Sequence, residues 1–553
     1  MRRHIISAGL AAMLACAPAL AAPSVVVLGG DAGDDPVTAC GALASSPYEP
    51  GRIGAGLDDA GVFLDGATAA CEAALAAAPD SIEVQTWLGR VYVLTGRAAE
   101  AQQLLDAAIE GGSGYAAFLL SELLASGAAA ADDPDRAHQL LQQAADSGYL
   151  PAMSALAEVS EAAADYATAF NLYSAAAGQG LGLASYRLGY FYHSGLAVDF
   201  NFETAMTFYQ QAIEQGEPLG HFGVGQLHEY GQGVEQDYLK AAAAYQLGAD
   251  RKEKFSETAL AYLYEQGMGV EQDYSRSFPL LLDAAAQGHG FAQAALAIHY
   301  LFGQGTEIDE AKAYDLAWSA QRQGVVYAEG ILGYMMMYGL GTERSLSNAL
   351  FHFRNGQELG DQYSADQIAI VEAELACLEA AGSQFEPGNI SVGVDFAALD
   401  PAIAIPACEQ ALQFNATSLG DKVWLARAYA KAERYDEALP LLEEGISGGN
   451  VLAETVLADL LIRGTGVEAN PPRAIALYLN AAGSSFAPAQ YGLGVAYAEG
   501  LGVAADSQAA IGWFRQALEQ GMDDAQAQID LLAGASPETS VDMTGFGREG
   551  PGY

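Results

Sequence analysis

The feature that most limits what this chain can fold into is a period. Equivalent residues open units every 36 positions at Ala184, Gly220, Ser256, Ala292 and Ala328 without a gap, and further units open at Ala116, Ala453 and Ala489. A repeat of this length is one supersecondary unit that buries its apolar face only by stacking on its neighbours. Counting each opening residue as slot one, slot five is Leu120, Leu188, Val224, Leu260, Leu296, Leu332, Leu457 and Leu493. Slot twelve is glycine throughout: Gly127, Gly195, Gly231, Gly267, Gly303, Gly339, Gly464 and Gly500. Slot eighteen holds Asp133, Asn201, Asp237, Asp273, Asp309, Ser345, Asn470 and Asp506, and slot twenty-two is alanine except at Ser277.

Each column has a physical cause. Apolar slots one, five and nine follow helical spacing and form the buried stripe of a first helix. Glycine at slot twelve reaches the left-handed conformation that ends it. The Asp, Asn or Ser at slot eighteen accepts bonds from free amides and starts a second helix, contributing about 1 kcal/mol each. Pro134 and Pro471 follow their caps at the first helical position, where proline fits best. The small residue at slot twenty-two lets the two helices approach closely. The stretches AQYGLGVAYAEGLGVAADSQAA (489–510) and LHEYGQGVEQDYLKA (227–241) resemble the Sel-one-like repeat (SLR) family, relatives of tetratricopeptide repeats. The resemblance runs from Ala116 to about Leu532. It implies an all-α, right-handed superhelical solenoid of antiparallel helix hairpins. The segment 152–183 is four residues short and lacks the glycine loop, and WLGRVY at Trp87 and WLARAY at Trp424 read as tetratricopeptide hairpins.

A longer echo lies beneath the short one. Cys40 and Cys377, Cys71 and Cys408, Trp87 and Trp424, Arg97 and Arg434, and Pro134 and Pro471 are all separated by 337 residues. The chain therefore carries two copies of one module: a two-cysteine segment, a tetratricopeptide hairpin, then SLR units. A solenoid joins only near neighbours, so both copies support local pairing, Cys40 with Cys71 and Cys377 with Cys408. The spacing has no Cys-x-x-Cys and no accompanying histidines, which favours structural bridges over a metal or redox site.

Met1-Arg2-Arg3-His4, an apolar run to Leu20 and the small-residue exit Ala19-Leu20-Ala21 read as a signal peptide over 1–21. No later run approaches the roughly 18 apolar residues of a membrane span. The expected order is then a two-cysteine segment with a hairpin (22–115), an SLR array (116–363), the second such segment (364–452), a second array (453–535) and a disordered Gly-rich tail (536–553). With 69 acidic against 24 basic residues and a formal charge of −45, the surface repels phosphate backbones, which excludes nucleic acid. An apolar fraction of 51% excludes disorder as the reason for that charge.

No hydrolase, nucleotide or zinc signature appears. Gly231-Gln232-Gly233 follows a helix and recurs between units, so helix termination explains it and a phosphate cradle does not. His228 stands where other units have tyrosine and reads as packing. Met335-Met336-Met337 reads as core filling. The chain is expected to carry no cofactor and to be non-enzymatic. Some cysteine-rich SLR proteins are linked to β-lactam hydrolysis, but that group has a cysteine pair in most repeats and the units from Ala116 to Gln362 have none. The resemblance implies that ligands meet first-helix residues lining the concave face, at slots three, seven and ten. These slots hold Tyr186, Tyr190, His193, Phe222, Gln226, Glu229, Tyr262, Glu265, Tyr334 and Met337. Aromatics of this kind are favoured at recognition hot spots. The expected activity is a scaffold or regulator of the bacterial envelope that binds protein, periplasmic, with full secretion as the other destination the signal allows, and with glycan binding in polysaccharide or cell-wall assembly as the alternative.

Overall fold

A computed structural model of the protein describes residues 35–49, 62, 64–127, 133–386 and 393–534. The segments expected as signal peptide and tail lie outside them. The described residues form 27 helices and no strand. They divide into two compact units, one running to Ala292 and one beginning at Gln293. Each is an all-α stack in which consecutive helices pair as antiparallel hairpins, the architecture expected from the repeat.

The repeat opening at Gly220 shows how the columns act. Its first helix, Leu219–Tyr230, ends at Gly231, whose φ of +67° is left-handed. The second helix, Tyr238–Ala249, starts at Asp237, whose carboxylate accepts from the Lys240 amide at 3.0 Å. One slot earlier, Gln236 Nε2 donates back to the Glu229 carbonyl at 2.8 Å, and Gln272 repeats this on Glu265 at 2.6 Å. In the second unit, Arg344 Nε reaches the Met337 carbonyl at 3.1 Å from the same slot. These side chains satisfy carbonyls that the end of a helix leaves free.

The hairpins close on a ring set against a glycine. Tyr209, Tyr245, Phe353 and Phe514 occupy slot twenty-six of their second helices and are 0–1% exposed. Opposite them, slot six of the first helix is Gly189, Gly225, Gly333 and Gly494. A Cβ there would lie 2.6, 2.3, 2.6 and 2.6 Å from the respective rings. Where slot twenty-six is Leu281 or Ala317, slot six is Ala261 or Ala297. Tyr478 departs from the pairing: slot six is Ala458, and the ring packs on Gly492 of the next repeat instead. Volume is thus traded between two columns at nearly constant packing density.

The echo at 337 residues extends to contacts. Cys40–Cys71 and Cys377–Cys408 are disulfides. Trp87 Nε1 donates to Glu49 Oε2 and Trp424 Nε1 to Glu386 Oε2, both at 2.8 Å. Arg90 Nη1 donates to the Ala44 and Ser45 carbonyls (3.1 and 3.2 Å), and Arg427 Nη1 to those of Ala381 and Gly382 (both 2.8 Å). Each buried guanidinium therefore binds the end of the helix that carries the first cysteine of its pair.

Candidate ligand-contact face

The first helices of the repeats present the residues proposed to meet a ligand, and the structure sorts those residues by slot. In the first unit, Phe222, Gln226, Glu229 and Glu265 are buried, and in the second so is Met337. Phe222 packs between the rings of Tyr245 and Phe255, with centroids 5.9 and 5.6 Å away. Slot ten faces inward, and in two repeats it partners the hydroxyl of the slot twenty-six ring. Tyr245 Oη donates to Glu229 Oε2 at 2.6 Å, and Tyr209 Oη lies 3.1 Å from His193 Nδ1. His193 is further tied by Nε2 to Gln232 Oε1 at 2.7 Å. Where the ring is Phe353 or Phe514 and has no hydroxyl, slot ten is Met337 or Ala498. Glu265, whose repeat has Leu281 at slot twenty-six, accepts from Ser277 Oγ at 2.8 Å. An unmatched buried polar group costs about 1–3 kcal/mol, so in these repeats the ring and its slot-ten residue change together, whereas Tyr478, with Ile462 at slot ten, donates its hydroxyl to Asp459 at slot seven.

Slots three and seven keep Tyr186, Tyr190 and Tyr262 half-buried in the first unit and Tyr334 half-buried in the second. The sequence reading missed slot eleven. Tyr230 is 46% exposed and Tyr338 49%, and Tyr338 shares its helix with Tyr334. In the second unit Tyr334 lies 4.8 Å from Tyr338 and 6.0 Å from Phe302, ring centre to ring centre. The signal was available, since the face of a helix holding slots three, seven and ten also holds eleven. Among the described residues, no group of three or more His, Cys, Asp or Glu side chains could hold a metal ion. Nor is any helix among them long and apolar enough to cross a membrane.

Sel1 repeats match at residues 114–149, 158–181, 182–217, 218–252, 255–289, 290–317, 326–361, 451–484 and 487–522, which together exceed half of the chain. The chain belongs to the Sel1 repeat family. A tetratricopeptide repeat also matches residues 64–118, around the Trp87 hairpin. The chain is similar to a protective antigen of uropathogenic Escherichia coli displaying an SLR fold, at 26% identity over 78% of this chain and 90% of that chain, with a TM-score of 0.41. It is also similar to a Sel1 repeat protein from Oxalobacter formigenes, at 25% identity over 54% of this chain and 89% of that one, with a TM-score of 0.37. No curated protein matches it.

The Sel1 units carry a second polar column that the sequence reading overlooked. Slot two holds Ser185, His221, Glu257, Gln293, Glu329, Glu454 and Gln490, all buried. Several meet the far end of their own hairpin at slot thirty-two: Ser185 Oγ donates to Gln215, Gln287 Nε2 to Glu257, and Gln323 Nε2 to Gln293 (2.6, 3.0 and 2.7 Å). Where slot thirty-two is Leu359, Glu329 takes His352 Nδ1 at 2.6 Å and Gln321 Nε2 at 3.1 Å.

Glu257 Oε1 has no hydrogen-bond partner among the described residues, nor has Oδ1 of Asp421 in the Trp424 hairpin. Burial, then the negative charge of Asp283, pushes the Glu257 carboxyl up to about 7 against the opposing pull of Lys252. Burial, then Glu374, does the same to Asp421, also to about 7. Both carboxyls titrate near 4 in an unfolded chain. The folded state therefore holds protons that the unfolded state has released between about pH 4 and 7. The stability these groups provide is present at low pH and lost as pH rises through that window. Buried His289 works oppositely, because burial lowers it to about 4 and its contribution is lost as pH falls below about 6.5. Glu257→Gln and Asp421→Asn isolate the acids. Each is expected to gain about 2 kcal/mol relative to wild type at pH 8 and almost nothing at pH 4.5. Urea unfolding at both pH values measures this, and differences that do not change with pH would refute it.

Proposed function

We propose that this Sel1 repeat protein is a non-enzymatic scaffold of the bacterial cell envelope, exported to the periplasm, that binds protein partners through the first-helix tyrosines. Sel1 and tetratricopeptide repeats serve protein–protein interaction in general. The observation that carries the reading is that Tyr186, Tyr190, Tyr262 and Tyr334 stay only half-buried on helices whose other candidate positions are used for internal packing. Tyrosine supplies a large contact area at low conformational cost. Two disulfides support an oxidising compartment, and the acidic surface supports partners other than nucleic acid.

The test is affinity capture from a native envelope fraction, comparing wild type with Y186A/Y190A/Y262A/Y334A, whose folding is checked by circular dichroism. A protein captured by wild type and lost by the folded variant is the expected result. Equal capture by both removes this face from the function. Retention of isolated envelope polysaccharide by wild type alone would replace the protein partner with a glycan, since tyrosine rings also stack on sugars.

A further inference from the structure

One helix of the second unit joins a repeat array to a two-cysteine module, and its two halves recur separately elsewhere in the chain. Helix Gln362–Ala381 follows the repeat opening at Ala328. It packs on Val326–Tyr338 and Leu346–Glu358 of that repeat, and on Pro401–Phe414 and Leu419–Lys431 of the module. Aligning the repeat opening at Ala489 with the one at Ala328 sets helix Asp524–Gly534 against residues 363–373. The match is chemical as well as positional, since Gln528, Ile529 and Leu532 stand for Gln367, Ile368 and Val371. The offset of 337 residues sets helix Pro36–Ala44 against 373–381. It likewise sets Leu64–Ala77 and Ile82–Leu94, on which that helix packs, against Pro401–Phe414 and Leu419–Lys431. Helix Asp524–Gly534 thus carries the array half of the joining helix, and Pro36–Ala44 carries the module half.

Neither half is followed or preceded in sequence by the other. Residues 535–542, which stand for ELACLEAA at 374–381, read ASPETSVD. The module half opens on Pro36 behind Asp35, whose carboxylate accepts from the Val37 and Thr38 amides at 3.4 and 3.1 Å. The array half keeps apolar surface that the joined helix covers. Val371 is fully buried where Leu532 is half-buried, and Ile370 is half-buried where Leu531 is 46% exposed.

The pair that ties repeat to module at the internal join identifies the occupant. Arg344, at slot seventeen of the repeat, makes an ion pair with buried Glu374 in the module half of the helix. Their counterparts are exposed Ala505 and half-buried Val37. A change on one side alone would set an unpaired charge against an apolar group, which a buried contact tolerates poorly. Both sides have changed, from charged to apolar, as two surfaces that meet would require.

We infer that helix Asp524–Gly534 of one molecule docks against helix Pro36–Ala44 of a second copy, rebuilding between two chains the join that Gln362–Ala381 makes within one. The two contacting surfaces differ, so the association is heterologous and runs head to tail. It does not depend on the tyrosine face, and its failure leaves the protein-binding reading untouched.

The test is sedimentation velocity of full-length protein across a range of concentrations at about 0.15 M salt, where repulsion between two acidic chains is screened beyond about 8 Å. Wild type is expected to self-associate as concentration rises. A505R sets a cation against Val37, and V37E sets an anion against Ala505. Each is expected to weaken association about tenfold, and A505R/V37E to return to within about twofold of wild type, because it copies the Arg344–Glu374 pair. Circular dichroism checks that V37E stays folded, and A505R changes an exposed residue. Wild type that remains monomeric at every concentration overturns the inference, even if the two helices meet within one molecule. So does association that A505R leaves unchanged, or a folded double variant as weak as the single ones.

Discussion

Gly333→Ala is expected to destabilise the second unit by about 3 kcal/mol, although alanine is the better helix former. Glycine in a helix interior costs about 1 kcal/mol relative to alanine, so a helix with free space beside it would gain from the change. No such space exists here. The new Cβ would sit 2.6–2.9 Å from three atoms of the Phe353 ring. That ring is fully buried and packs in turn on Tyr363, with centroids 6.1 Å apart. Forcing extra volume into a filled core costs about 1–3 kcal/mol, and more when the obstructing group cannot turn away. The steric term therefore outweighs the propensity term. Adding Phe353→Leu reproduces the combination that Ala261 and Leu281 already form in another repeat, and is expected to recover most of the loss. The coupling between the two sites in a double-mutant cycle should be about 2 kcal/mol. Urea unfolding of wild type, both single variants and the double variant measures it. A stabilising G333A, or additive effects, would show that ring and glycine are independent.

That pair also shows what could be read in the sequence and what could not. The glycine at slot twelve and the cap at slot eighteen do the same work in every hairpin, so they stand out as constant columns, and the structure uses them as their chemistry dictates. Slots six and twenty-six vary, but apart from Ala458 with Tyr478 they vary together: glycine with Tyr245 or Phe353, alanine with Leu281. A reading that searches for constant columns passes over a pair of this kind. The same limit explains the binding face. Slot ten was assigned to a ligand because the resemblance places ligand contacts at slots three, seven and ten of the first helix, where it holds His193, Glu229, Glu265 and Met337. Periodicity places a residue on a face without saying how far the neighbouring second helix reaches across it. Tyr209 and Tyr245 reach far enough to place their hydroxyls on His193 and Glu229. The polar identity at slot ten thus reported an internal bond. Slot two carried the same kind of signal in Glu257 and Glu329, and was hidden because its partners at slots thirty-two, thirty and twenty-five change type between repeats. The offset of 337 residues was the more informative pattern. It aligned the cysteines, and it also contained Glu49 with Glu386 and Arg90 with Arg427, whose bonds to the module are equivalent in the two copies.

Removing the Cys377–Cys408 bridge as C377A/C408A is expected to cost more than removing Cys40–Cys71 as C40A/C71A, although both join residues 31 apart. Loop closure in the unfolded chain gives each bridge the same stabilisation, about 3–4 kcal/mol. The difference lies in what each bridged helix supports. Helix Pro36–Ala44 packs chiefly on Leu64–Ala77 and Ile82–Leu94. Helix Gln362–Ala381 packs on Val326–Tyr338 and Leu346–Glu358 to one side, and on Pro401–Phe414 and Leu419–Lys431 to the other. In a repeat array, stability is carried by nearest-neighbour interfaces, so among the described residues loosening Gln362–Ala381 weakens interfaces on two sides while loosening Pro36–Ala44 weakens those on one. A buried arginine adds to the loss in both modules and does not separate them: Arg427 is held by the Ala381 and Gly382 carbonyls at the end of its bridged helix, and Arg90 by those of Ala44 and Ser45. If the helix moves, a buried cation loses its acceptors, which is among the costlier changes a core can suffer. Hydrogen exchange distinguishes the two cases. C40A/C71A should raise exchange in Pro36–Ala44 and Leu64–Ala77 and leave the second unit protected. C377A/C408A should raise it on both sides of the bridge, in Leu346–Glu358 as well as Leu419–Lys431. Equal midpoints for the two variants, with exchange confined to the bridged helices in both, would mean that each disulfide stabilises only its own segment.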